Sequence, residues 1–160
     1  MSDSLLTWFE LSWVGVTIRG YAWAFPSFEI IHFMGLCILF GSLLVIDLRL
    51  LGVARFIPMG PAMSYVPISI GGFVLCLITG IGFFCADPFR YWPNIAFRVK
   101  MILIILAGIN ALYFQFVEHN KVRGLAEGTD TENSTKFIAV ASLVLWAGVI
   151  IGGRMIPYLE

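Results

Sequence analysis

Charge is scarce in this chain. Of 160 residues, Lys and Arg supply 10 and Asp and Glu another 10, so 12 % are charged against 59 % apolar. With 14 Phe and 5 Trp to cover as well, so little polar surface cannot shield the chain from water, and lipid must be the solvent for much of it. Acids and bases cancel, and no Lys/Arg cluster forms a phosphate-binding patch, which removes nucleic acid as a partner. Cysteine is sparse too. Cys37, Cys76 and Cys85 are odd in number and form no C-x-x-C, which excludes a disulfide framework and a c-type haem attachment. Buried inert thiols are the expectation. A Gly-rich phosphate loop, H-E-x-x-H and G-x-S-x-G are all missing. So is an internal repeat of solenoid length. The first residues lack a positive n-region, so no signal peptide is expected.

What remains is four long apolar runs. They predict an all-α integral membrane four-helix bundle with spans over roughly 26–51, 68–85, 95–117 and 137–153. Residues 1–25 are apolar but interrupted, with Glu10, Ser12 and Arg19 left to water, and read as an N-terminal interfacial helix. Pro26 suits a first helical turn, and Asp47 and Arg49 can snorkel at the far end of span one. Pro58, Gly60, Pro61 and Pro67 break the connector to span two. Residues 120–136 form the one strongly polar stretch and read as a solvated, partly disordered loop. Gly148-x-x-x-Gly152 is a close-packing spacing that serves either an oligomer or a flat ligand. Asn110 reads as an interhelical hydrogen-bonder. The methionines read as packing residues, with no spacing for copper.

Only two histidines exist, His32 and His119. His32 lies about 9 Å inside Pro26, and Lys100 about 8 Å inside Ile95, at 1.5 Å rise per residue. Arg98 is slightly shallower, and Arg154 ends span four on the same side. An imidazole and three cations in one layer match a haem b, whose iron takes a neutral imidazole and whose two propionates take cations. In that reading Glu29, one turn before His32, orients the ring, and Gly35, one turn beyond, admits the porphyrin. The competing reading keeps His32 as a hydrogen-bonded structural histidine and the cations as headgroup anchors. His119 lies about 36 Å along span three from Ile95, so it cannot share an iron with His32 within one chain. It is either an interfacial histidine beside Glu118 or the ligand of a second haem. The iron at His32 would be five-coordinate, or met by Lys100 or a methionine. Lys/Arg tallies on the two membrane sides are equal, Arg49, Arg55, Lys121, Arg123 and Lys136 against Arg19, Arg90, Arg98, Lys100 and Arg154, so orientation stays open.

Four pieces, in order, resemble a family of small, uncharacterised four-span bacterial membrane proteins. They are P-x-x-E-x-x-H at 26–32, G-x-x-x-x-x-D-L-R-L-L-G at 41–52, F-R-x-K with a downstream A-G-x-N at 97–110, and W-x-x-x-x-x-x-G-R at 146–154. Some proteins of this architecture look like trimeric b-type cytochromes. The resemblance therefore implies haem at His32 with Arg98, Lys100 and Arg154, a homotrimer, and the bacterial inner membrane. The expected function is haem-mediated electron transfer to a quinone, a cytochrome or a copper protein. The alternatives are a non-redox subunit or small transporter using His32 and Glu29 for protons or substrate, and an enzyme with an open iron position.

Overall fold

The computed structural model describes residues 3–125 and 128–159. Every regular element among them is helical. The four apolar runs become helices long and apolar enough to cross a membrane, and the protein is a multi-pass membrane protein. The first long helix, α3 (Ala24–Leu50), begins and ends within two residues of expectation. Pro26 sits in its first turn, where a missing N–H leaves no bond unmade. The second, α5 (Val66–Ala86), follows a short α4 (Met59–Met63), and Pro67 occupies its first turn. The connector is thus broken, as its prolines require.

The third run is α7 (Ile95–Tyr113), capped by the Asn94 side chain. It continues through a π turn (Phe114–Glu118) into α8 (His119–Val122). The fourth, α9 (Asn133–Met155), starts four residues earlier than expected and ends in a 3-10 turn (Ile156–Tyr158). In space α5 packs along α3, α3 along α9, and α9 along α7. Side chains close the remaining side. Phe84 of α5 stacks on Phe97 of α7 at 5.7 Å, while Phe73 meets Trp146 of α9 edge-on at 6.1 Å across the interior.

Several expectations are corrected. The N-terminal segment is two helices, α1 (Asp3–Glu10) and α2 (Trp13–Gly20), because the Ser12 hydroxyl accepts the Gly15 N–H and starts a new helix. Both dock on the end of α5, burying Leu6 and Ile18 and leaving Trp8 and Trp13 outward. Arg19 is exposed, as expected, but it is not idle. It donates to the carbonyls of Ala86 at 2.6 Å and Glu10 at 2.5 Å, capping two helix ends at once.

Asp47 and Arg49 do not snorkel. Arg49 is 0 % exposed and donates to the carbonyls of Ile57 and Thr129, which lie in two different loops. The polar loop, in its described residues, is tied down. The Thr131 hydroxyl donates to Leu50 O, and Asp130 pairs with Arg55 and Lys136. Ala126 and Glu127 of that loop lie outside the described residues. Gly148 and Gly152 face α7 within the chain, against Leu103 and Lys100. Met59 and Met63 pack in the core, but Met34, Met101 and Met155 face outward, and Cys37 is exposed rather than buried.

Candidate functional site

Two glycines set the register that builds the site. A Cβ on Gly72 would stand 2.5 Å from Leu39 N and 2.9 Å from Gly35 O, and a Cβ on Gly35 would stand 2.9 Å from Cys76 Sγ. Backbone therefore meets backbone where α3 crosses α5. The room at Gly35 is filled by α5, so Gly35 does not admit a porphyrin as expected. It admits a helix.

One turn toward the chain start, this crossing brings His32 against Thr79. His32 Nδ1 lies 2.7 Å from Thr79 Oγ1. That hydroxyl stands 2.7 Å from Leu75 O and 3.3 Å from Cys76 O, the back-bonding geometry of a helical threonine. A hydroxyl has one proton to give. When that proton goes to the helix carbonyls, the oxygen is free to accept from Nδ1–H. In the neutral ring this leaves Nε2 with its lone pair, the form a metal binds. The ring lies edge-on to Phe83 at 5.5 Å, and the Cys76 thiol donates to His32 O at 3.6 Å.

Lys100 is the cation that comes to this imidazole. Its stem runs along Gly152 and Gly153, with Nζ 3.4 Å from where a Gly153 Cβ would be. It is near enough to both His32 and Cys76 for its charge to act on them. No carboxylate pairs with it among the described residues.

The other expected members lie apart. Arg98 donates to Trp92 O at 3.0 Å and stands over the Trp92 ring at 5.9 Å. Arg154 stands over Tyr158 at 5.8 Å. Both are exposed at the same end of the bundle as His32, held by aromatic partners. Glu29 is exposed and acts on Tyr91, whose phenol is raised above its ordinary value chiefly by burial. The partner holding the His32 ring through Nδ1 is Thr79, not Glu29.

His119 opens α8 directly after the π turn. Its Nδ1 is buried without a partner, and its ring meets Phe114 at 6.3 Å. Glu118 turns away from it to Thr135 at 2.7 Å and Lys121 at 3.0 Å. Among the described residues no three His, Cys, Asp or Glu side chains gather as a metal cage. A bare metal ion therefore finds few ligands here, whereas a porphyrin brings four nitrogens and asks the protein only for axial ones. Sequence reasoning missed Thr79, Cys76 and Phe83. The available signal was a threonine in a span that carries no charge.

A model for a family of unknown function, DUF6644, matches residues 5–159, nearly the whole chain. No curated protein and no solved structure matches it.

Proposed function

The chain belongs to DUF6644, and we propose that within it the protein is a membrane-embedded b-type cytochrome with His32 as axial ligand. One observation carries this reading. Thr79 holds Nδ1 of His32 and so reserves Nε2 for a metal. An imidazole inside an apolar span needs such a reason to be kept.

The residues present suit a haem b. His32 supplies the nitrogen, and Lys100, which lacks a carboxylate partner among the described residues, suits a propionate. Arg98 and Arg154 stand at the same end for the second acid arm. When bound, the haem supplies a one-electron couple that the side chains alone lack. The chain's part is to fix the ring through Thr79, to hold the Lys100 amine beside it, and to keep water away with Phe83. In the same reading α1 and α2 lie in the membrane interface, and a quinone or a redox protein exchanges the electron. His119 is available to a second haem at the far end, and several copies assemble in a bacterial inner membrane.

The purified protein should be red, with a Soret band and a reduced α-band in the dithionite-minus-oxidised spectrum. His32→Ala should lose that haem, while His119→Ala should keep at least one. A colourless protein from haem-replete cells, or a full haem complement in His32→Ala, would overturn the assignment and favour a non-redox membrane subunit or transporter.

A further inference from the structure

At the other end of α3 from His32 sits Asp47, 3 % exposed. Its Oδ2 is buried and has no hydrogen-bond partner among the described residues. The surroundings are apolar. Ile46, Leu50, Met59, Ala62, Met63 and Ala139 form one core cluster in this part of the bundle.

The helices packed on α3 here are α4, α5 and α9. Among the described residues none of them brings a charged or titratable group to bear on Asp47. From α9 the buried Ser142 is the one polar side chain that bears on it, without a bond to Oδ2. Arg49 stands two residues on, about 200° around the helix, and its guanidinium reaches the carbonyls of Ile57 and Thr129.

An ionised carboxylate this deeply buried, with no counter-ion facing it among the described residues, is costly to keep. A metal cation is a poor answer, because among the described residues Asp47 belongs to no cluster of three or more carboxylate, thiol or imidazole groups. A proton needs only the carboxyl itself and one hydrogen-bonding neighbour. We propose that Asp47 is a proton-binding site, carrying a proton as the neutral acid beside Ser142 and exchanging it with water on the side of the 51–58 loop.

The route is short. Asp47 is about 4.5 Å of helix from Leu50, where α3 ends. That end is covered by Thr131, whose hydroxyl holds Leu50 O, and by Thr129, held by Arg49. Exchange therefore requires the cover formed by these loop residues to lift. The proposal does not depend on the haem and gives the protein a proton to bind within the membrane.

Infrared spectroscopy of the full-length protein in lipid tests it, with 13C in the aspartate carboxyls. Asp3, Asp87 and Asp130 are exposed, so at neutral pH a 13C acid carbonyl band should come from Asp47 alone. The band should move in heavy water, vanish in Asp47→Asn, and change frequency in Ser142→Ala. Absence of an acid band in the labelled wild type would overturn the proposal. So would a band that heavy water leaves unmoved, because that proton is locked in rather than exchanged. Persistence of the band in Asp47→Asn would assign the proton elsewhere and overturn it equally. The labelled wild type gives its answer whether or not either variant folds.

Discussion

Thr79 governs what His32 can do, because a hydroxyl proton given to Leu75 O leaves the same oxygen to accept from Nδ1–H, 2.7 Å away. Valine fills nearly the same volume at position 79 without that acceptor. In Thr79→Val the imidazole loses that partner, and on the proposed haem reading haem binding should weaken on the order of 10–100-fold. Thr79→Ser should stay near wild type. Haem titration of the purified apoprotein measures both, and equal affinity in Thr79→Val would show that the threonine merely packs. His32 was legible in the sequence because only two histidines exist, and Lys100 because depth along a helix follows from residue count. Depth alone could not separate Lys100 from Arg98 and Arg154. All three share a layer, but Trp92 and Tyr158 draw the two arginines to aromatic partners. Thr79 stood out only as a threonine in an uncharged span, and Phe83 not at all, since their meeting with His32 depends on how two helices register. No local sequence signal encodes that register.

At the scale of the element, the α3–α5 crossing rests on backbone contact, and its sensitivity is correspondingly sharp. In Gly72→Ala the new methyl meets Leu39 N at 2.5 Å and Gly35 O at 2.9 Å, and helix backbone cannot step aside as a side chain can. The helices must separate, at a cost of about 1–3 kcal/mol, and His32 must move off Thr79. Gly71→Ala, one position along, has nothing within 4 Å and should be tolerated. Thermal unfolding of both variants in the same detergent checks the contrast, and equal midpoints would mean that the crossing is not under steric control. The long helices themselves were readable, because a run of apolar residues of membrane length has few other fates. Their interruptions were harder to read. Ser12 begins a second helix inside a run that looked continuous, and the π turn before His119 has no residue that announces it. Gly148 and Gly152 were recognisable as a packing face, yet only the fold shows that α7 occupies it.

Across the whole molecule, the two loops on the Asp47 side are bound to each other, so the stretch that looked most solvated is mostly exposed in its described residues and yet held. Polarity signals surface, but it does not reveal that surface groups pair. Arg55 reaches Asp130 at 3.0 Å, Lys136 reaches it at 2.8 Å, and Gly128 N donates to Arg55 O at 3.1 Å. The Lys136 hydrogen bond holds the Asp130 carboxyl below its ordinary value, with help from the Thr131 N–H and the Arg55 charge. A carboxyl lowered in the folded state stabilises that state at pH above the unfolded value, about 3.9 for Asp. The contribution is lost as pH falls through the lower folded value. Acid should therefore loosen this cover before it disturbs the four long helices, whose packing involves mostly apolar side chains. Hydrogen exchange over 128–136, corrected for intrinsic rates, should accelerate below about pH 4. In Asp130→Asn it should be fast already at neutral pH. Identical corrected exchange on both sides of that pH would show that the ion pairs decorate a loop held by Arg49 and Thr131 alone.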